Sequence, residues 1–253
     1  MKIKNILVSQ PKPESDKSPY LDLAQKLSVK IDFRPFVQVE SVSVKNFRKT
    51  RIDISKHSAI ILTSRTAVDH FFNMCEKLKI MINDNWKFFC LSEAIAFYLQ
   101  KYVIYRKRKV FSSNGSFDDL LKVIQEHSEE FFLLPLSNVH KFEIPKKLEK
   151  ANIKYTKAIL YKTVASDLSD LKDINYDILV FFSPSGIVSL LKNFPDFNQR
   201  DIRIAAFGPS TAKAVENHKL RLDIKVPTPE CSSMTLALEK YITEFNKNAK
   251  KKK

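Results

Sequence analysis

The sequence predicts an α/β fold of two domains, each with a parallel sheet flanked by helices, joined by a two-stranded β linker. Three observations lead to this prediction. Short apolar runs alternate with segments of helical spacing along the 253 residues, which is typical of parallel sheets. One βα module occurs twice in the chain. Two long extended segments, residues 30–40 and 155–164, stand on either side of the first copy.

The individual elements follow from hydrophobic spacing. Short, continuous apolar runs predict buried strands, and these cover residues 3–9, 59–63, 87–91, 109–112, 131–136, 178–182, 202–207 and 223–226. Apolar residues at helical spacing predict helices, and these cover residues 18–29, 66–78, 92–102, 117–124, 144–150, 186–193, 210–217 and a terminal helix from about 233.

The repeated module aligns residues 59–72 with 178–191 and residues 86–96 with 202–212. Two copies of one supersecondary unit predict two similar sheets. If the two extended segments pair with each other, residues 41–154 form an inserted domain. Residues 1–34 and 165–253 then form a discontinuous domain, and residues 35–40 and 155–164 are the linker strands.

Glycine is scarce, and two of the three glycines, Gly186 and Gly208, stand between an apolar run and a helix. A turn at this place presents backbone N–H groups of the first helical turn, which bind anions. In open α/β sheets, ligands gather at that edge. The candidate ligand-binding residues are those at or beside such turns: Ser9, Ser64, Ser183, Ser185, Gly186, Gly208, Ser210 and Thr211. Their hydroxyl groups are equally suited to capping the helices.

The formal net charge of +15 favours an acidic partner, and five of these charges belong to a lysine-rich end, Lys247 and Lys250–Lys253, which we expect to fray. The charge fits a polyanionic small molecule or a nucleic acid. The basic cluster Arg106–Lys109 is not interleaved with aromatic residues, and no nucleic-acid motif is present. We therefore expect no nucleic-acid partner.

Three separate cysteines, Cys75, Cys90 and Cys231, predict buried free thiols in a reducing compartment, and no Cys/His spacing indicates a metal site. The first residues are not followed by the apolar region of a signal peptide, and no run approaches 18 apolar residues. We expect a cytoplasmic protein without a membrane span.

Five segments together resemble the uroporphyrinogen-III synthase family. The most specific pair is Phe182–Gly186, reading FSPSG, followed by Gly208–Ala212, reading GPSTA. The other matching segments are residues 6–11, 62–65 and 159–163. The chain departs from the family where Ser9-Gln10-Pro11 replaces the usual Thr-Arg-Pro, and where Ser92 and Ile95 replace a Gly and a Thr.

The resemblance implies an activity. The family closes the linear tetrapyrrole hydroxymethylbilane to uroporphyrinogen III, with loss of water and inversion of the last pyrrole ring, and it uses no cofactor and no metal. Tyr161 matches a cleft-facing tyrosine of the family, and a neutral phenol can donate a proton to the departing hydroxyl. Arg65 and Phe182 lie in matched segments, so substrate contact is expected of them too.

The expected partners are an acidic linear tetrapyrrole as substrate and hydroxymethylbilane synthase as its supplier, and we expect a monomer. Two alternatives stay open from the residues alone. One is a nucleic-acid-binding protein, and the other is a two-domain anion-binding protein that shares the fold without the chemistry.

Overall fold

The computed structural model describes residues 2–15, 17–140, 142–171 and 174–251. The chain divides into two compact units, one of Met1–Gln38 with Val164–Lys253 and one of Val39–Thr163. Each unit contains a sheet whose strand pairs are parallel, apart from the edge pair of residues 37–41 with residues 155–165. The predicted α/β class with helix-flanked parallel sheets is therefore confirmed.

Strands and helices alternate through most of the described chain. The strands are β1 (Asn5–Val8), β2 (Lys30–Phe33), β3 (Val37–Ser41), β4 (Ala59–Leu62), β5 (Lys87–Cys90), β6 (Val110–Ser112), β7 (Phe132–Ser137), β8 (Tyr155–Ala165), β9 (Ile178–Phe181), β10 (Arg203–Phe207) and β11 (Ile224–Val226). The helices are α1 (Pro19–Leu27), α2 (Val44–Arg48), α3 (Arg65–Leu78), α4 (Glu93–Leu99), α5 (Phe117–Gln125), α6 (Glu143–Lys150), α7 (Pro184–Asn193), α8 (Pro209–Asn217) and α9 (Met234–Lys251).

The first unit contains a five-stranded sheet in the order β11-β10-β9-β1-β2. Successive side chains of a strand point to opposite faces, so β1 contributes Ile6 to one core and Leu7 to the other. Helices α1 and α9 cover the Ile6 face, and α7 and α8 cover the Leu7 face. Burial of both faces explains why the strands are continuous apolar runs.

The second unit contains a six-stranded sheet in the order β3-β8-β7-β4-β5-β6. The central strand β4 is fully buried. Its Ile60 packs in the core under α3 and α4, and its Ile61 packs in the core under α5 and α6. Strands β4 and β5 are neighbours in the sheet, and α3 and α4 follow them in the chain. These two helices therefore begin beside each other, at adjacent strand ends.

The prediction of one extended segment over residues 30–40 is wrong, because this stretch forms β2 and β3, which belong to different sheets. Pro35 lies in the break, and proline has no N–H to donate to a ladder. Strand β3 is the neighbour of β8, and beyond its end the N–H of Val42 donates to Leu160 O at 2.9 Å.

Two short elements between β3 and β4 were not predicted. Helix α2 has only five residues, and a 3₁₀ helix covers Ile54–Lys56. Neither is long enough to show a hydrophobic period. Both are instead fixed by side-chain caps, with Ser43 Oγ accepting from the N–H of Asn46 and Asp53 Oδ1 accepting from the N–H of Ser55.

The lysine-rich end is helical as far as Lys251, which corrects the expectation of a frayed end, and residues 252 and 253 lie outside the described residues. Cys75, Cys90 and Cys231 are buried free thiols, as predicted. No helix within the described ranges has the length and apolar character needed to cross a membrane.

Candidate functional site

The candidate residues lie where parallel strands end and helices begin. In the first unit, Ser9 follows β1, Ser183 precedes α7 and Gly208 precedes α8. In the second unit, Ser64 is the N-cap of α3 and Ser92 is the N-cap of α4. Because the carboxyl ends of parallel strands meet at one edge of a sheet, each unit gathers its own set at that edge.

Gly186 is a packing residue rather than a free donor. Its N–H donates to Ser183 O at 3.1 Å and to Ser183 Oγ at 3.3 Å, and the residue is buried. A Cβ at this position would lie 3.1 Å from Phe181 Cδ1 and 3.7 Å from Ser9 Oγ. The Gly186 amide is therefore used within its own turn, and glycine at this position allows the close approach of α7 to β9 and to the turn after β1.

Gly208 is required for its backbone conformation. Its φ of 86° and ψ of 151° fall in a region that only glycine adopts readily. Its own N–H donates to Val226 O at 2.6 Å, so this amide is not a free donor either. The turn instead directs the chain into α8, where the N–H groups of Ser210 and Thr211 have no carbonyl one helical turn before them. These two amides replace that of Gly208 as the expected anion donors.

Thr211 has a buried hydroxyl without a partner. The residue is 1% exposed, and its Oγ1 has no hydrogen-bond partner among the described residues. An unpaired buried hydroxyl costs about 1–3 kcal/mol, and a ligand oxygen or N–H at the start of α8 would remove that cost. Ser210 beside it is exposed, and Ser185 at the start of α7 is half-buried.

An aromatic pair stands beside these two turns. Phe182 stacks on Phe207 with ring centroids 5.7 Å apart and an interplanar angle of 29°. Phe182 directly precedes Ser183, the N-cap of α7, and Phe207 directly precedes Gly208, the N-cap of α8. Both rings are half-buried. The pair gives this edge of the first unit an apolar surface next to the backbone donors.

Tyr161 and Ser64 are brought together in the second unit. Ser64 Oγ accepts the N–H of Ala67 at 3.0 Å and so caps α3. Burial raises the pKa of the Tyr161 hydroxyl, and this effect exceeds that of a side-chain hydrogen bond with Ser64. The phenol is therefore neutral at physiological pH. Only 9% of Tyr161 is exposed, so most of its side chain is packed within the second unit.

His70 is a neighbour of Tyr161 that sequence reasoning missed. Its imidazole stacks on the Tyr161 ring with centroids 4.8 Å apart and an interplanar angle of 15°. His70 Nδ1 and Ser41 Oγ are 3.0 Å apart. Burial lowers the pKa of His70, so the ring is neutral at pH 7. No local pattern could have joined residues of β3, α3 and β8 into one cluster.

The loop after β7 is tied to the same stretch of β8. The N–H of Asn138 donates to Tyr161 O at 3.1 Å, and the N–H of Thr163 donates to Asn138 Oδ1 at 2.8 Å. His140 Nδ1 lies 2.8 Å from Ser137 O, and its buried Nε2 has no partner among the described residues. No sequence motif indicated a role for this loop.

Arg65 is exposed at the first position of α3, next to the Ser64 cap. Its guanidinium Cζ lies 5.5 Å from the centroid of the Tyr98 ring on α4. The Arg65 side chain, which is expected to contact substrate, therefore also contacts α4. At the two places where the chain departs from the family pattern, Ser92 makes no side-chain cap to α4 and Ile95 is buried in the core.

Comparison with known proteins decides the family. The family model described as uroporphyrinogen-III synthase HemD matches residues 18–235. The chain belongs to the uroporphyrinogen-III synthase family. The resemblance seen in the sequence segments is therefore confirmed.

One curated relative of this uroporphyrinogen-III synthase family member shows low sequence identity. The uroporphyrinogen-III synthase of Saccharomyces cerevisiae is 28% identical over 138 residues, which are 49% of this chain and 50% of the yeast protein. The match therefore spans half the length of that curated relative.

Two solved structures share the fold. The crystal structure of uroporphyrinogen-III synthetase from Helicobacter pylori has a TM-score of 0.61 at 16% identity, covering 96% of this chain and 100% of that chain. A mutant uroporphyrinogen III synthase from Thermus thermophilus has a TM-score of 0.50 at 14% identity, covering 99% of this chain and 100% of that chain. At these identities the likeness concerns the fold alone.

Proposed function

We propose that this chain is a uroporphyrinogen-III synthase that closes hydroxymethylbilane to uroporphyrinogen III in haem biosynthesis. The observation that carries the proposal is the family match over residues 18–235, which reaches into both compact units. The residues at the strand ends support it, because they combine unpaired helix-start donors, cations and a neutral phenol.

The substrate is a chain of pyrroles with many carboxylates, and the first unit offers groups suited to it. The N–H groups of Ser210 and Thr211 at the start of α8 stand at the positive end of the helix dipole, where an anion would be bound favourably. Such a contact is worth about 0.3–1 kcal/mol when exposed and up to about 2 kcal/mol when partly buried. Several weak contacts of this kind, added to the net charge of +15, favour capture of a polyanion.

Tyr161 is the proposed proton donor. Departure of the substrate hydroxyl from its methylene carbon consumes one proton and releases water, and the terminal ring then forms a carbon–carbon bond to that carbon. Attack by the substituted carbon of the ring leads to a spiro intermediate, and reopening and reclosure invert the ring with loss of one proton. A phenol that stays neutral can supply the first proton.

Orientation is the second contribution of the protein. The leaving group is reactive, and an unrestrained bilane closes without inversion to the type I isomer. Fixing the carboxylate arms restricts the terminal ring to the geometry in which its substituted carbon attacks. Product identity therefore tests the proposal better than the rate of substrate loss.

The deciding experiment is incubation of the full chain with hydroxymethylbilane, oxidation of the products to porphyrins and separation of the isomers. We expect the type III isomer in excess over the type I isomer that forms in a parallel sample of heat-denatured protein. Type I product alone, at the rate of the denatured control, would contradict the proposal and leave anion binding without chemistry.

Nucleic-acid binding, the other reading of the basic composition, is not favoured by the family to which the chain belongs. A gel shift with duplex DNA at 50 mM and 200 mM salt measures it directly, because binding through phosphate contacts weakens steeply with salt.

The cellular setting is part of the proposal. We infer a monomer in the cytoplasm that receives its unstable substrate from hydroxymethylbilane synthase. Light scattering over a range of protein concentrations tests the monomer. Hand-over is tested in two parallel reactions, one with active hydroxymethylbilane synthase and one with the heat-denatured enzyme. The fraction of type I product is compared between them.

A further inference from the structure

Helices α3 and α4 carry an aromatic cluster around one carboxylate, which we name the Asp69 cluster: Asp69, Tyr98, Lys101 and Tyr102. Asp69 Oδ1 accepts the hydroxyl of Tyr98 at 2.9 Å and the hydroxyl of Tyr102 at 2.5 Å. Lys101 Nζ lies 4.0 Å from the same oxygen. The carboxylate is thus occupied mainly by two tyrosine hydroxyls, which fix both rings at their polar ends.

The Tyr98 ring carries two cations. Arg65 Cζ lies 5.5 Å from its centroid and Lys101 Nζ lies 5.7 Å from it. A guanidinium stacked on an aromatic face is attracted by the ring and keeps its in-plane N–H groups for a planar carboxylate. Arg65 is also the first residue of α3, directly after Ser64, so a group bound there lies beside the α3 helix start.

We propose that Tyr98, anchored by Asp69, is a positioning residue that holds the Arg65 guanidinium for a carboxylate arm of the substrate. This inference rests on the proposed function. It assigns a role to residues of α4 that do not belong to the strand-end turns, and it gives Arg65 a fixed orientation that an exposed arginine otherwise lacks.

The test compares four single variants and one double variant in the full chain. Arg65→Gln removes the cation, Tyr98→Leu removes the ring, and Tyr98→Phe keeps the ring but loses the hydroxyl to Asp69. Tyr102→Phe is the matched control, because it removes the other hydroxyl from Asp69 and leaves the ring under Arg65 intact. The double variant combines Arg65→Gln with Tyr98→Leu.

We expect Tyr98→Leu to raise KM about twofold to fivefold, the range of one exposed cation–π contact, with kcat within twofold of wild type. In Tyr98→Phe, which keeps the ring, and in Tyr102→Phe, the rise in KM should be smaller than in Tyr98→Leu. The double variant has the KM of Arg65→Gln alone, because residues that act through one contact are not additive. Additive effects in the double variant, or an unchanged KM in Tyr98→Leu, would overturn the assignment.

A binding readout separates this inference from the proposed function. Uroporphyrin III, the stable oxidised form of the product, serves as a polycarboxylate probe in equilibrium titrations of each variant. Weaker binding in Arg65→Gln and Tyr98→Leu supports the positioning role even if wild-type protein makes no type III product. Type III synthesis by wild type with unchanged probe binding in both variants refutes the positioning role and leaves the function intact.

Discussion

Replacing Tyr161 with phenylalanine tests the proposed chemistry with the smallest change that the site allows. The substitution removes one oxygen atom. The ring remains on β8, and its stack on His70 at 4.8 Å does not depend on the hydroxyl. The backbone bond from Asn138 N–H to Tyr161 O is also preserved. The variant should therefore keep the fold and lose only the phenol.

The structure bounds the expected effect on stability. The substitution removes the polar interaction between the Tyr161 hydroxyl and the Ser64 side chain, and a net hydrogen bond contributes at most about 0.5–1.5 kcal/mol. Ser64 Oγ keeps the N–H of Ala67 at 3.0 Å, so the partner is not left unsatisfied and the loss lies at the low end of this range. The expected effect on kcat is much larger, because a positioned acid contributes about 10²–10⁴-fold.

The assay measures kcat and KM for type III formation together with urea unfolding of each protein. Tyr155→Phe is a matched control, since Tyr155 lies on the same strand and its hydroxyl donates to Glu149 Oε1 at 2.8 Å. It should change stability by a similar amount and leave kcat unchanged. A kcat of Tyr161→Phe within threefold of wild type would refute the proton-donor role, as would equal losses in both variants.

Three further predictions concern packing, the unpaired hydroxyl and the buried thiols. Gly186→Ala should lower the free energy of unfolding by up to about 2 kcal/mol. Its Cβ would lie 3.1 Å from the Phe181 ring, and overpacking of about 1–3 kcal/mol exceeds the helix gain of up to about 1 kcal/mol. Thr211→Val should leave stability unchanged or higher, because Oγ1 has no partner among the described residues, while KM for the bilane rises. Burial raises the pKa values of Cys75 and Cys90 from 9.0 to about 12. Their stability contribution is therefore complete below about pH 9 and is lost as the pH rises toward 12, with a slope of about 1.4 kcal/mol per pH unit for each thiol.

The measurements for these predictions are urea titrations, at pH 8 for the first two and at pH 8, 9, 10 and 11 for the thiols. Gly186→Ala with unchanged stability would show that Phe181 can move aside. A loss of more than 1 kcal/mol in Thr211→Val would show that the hydroxyl has a structural partner. For the thiols, Cys75→Ala should reduce the slope above pH 9, and an unchanged slope would assign the alkaline instability elsewhere.

Hydrophobic spacing predicted the long, buried elements well because both sheet faces are covered in each unit. Strands such as β4 and β9 are apolar at every position, and their predicted limits differ by one residue from those found. Helix α2 was missed because five residues held by a cap leave no periodic pattern. The segment 30–40 was misjudged because β propensity does not reveal which sheet a strand joins.

The positions of the strand-to-helix turns could be predicted from the sequence, but the contacts of their residues could not. Strand-to-helix turns are local features, so Ser64, Ser183 and Gly208 could be found from the sequence. The Gly186 amide donates within its own turn and the Gly208 amide donates to β11, and these bonds depend on the positions of Ser183 and Val226. Residues such as His70 and Tyr98 were missed because their partners lie on other elements.

The order of apolar runs, turns and capping residues was enough by itself to predict the α/β class and the family. These properties depend on neighbours within a few residues, and the sequence records such neighbours directly. The tertiary structure decided which donors remain unpaired, which hydroxyls are buried and which aromatic ring lies under Arg65. Those properties depend on contacts between distant segments, and hydrogen bonding and burial are settled only when the segments pack together.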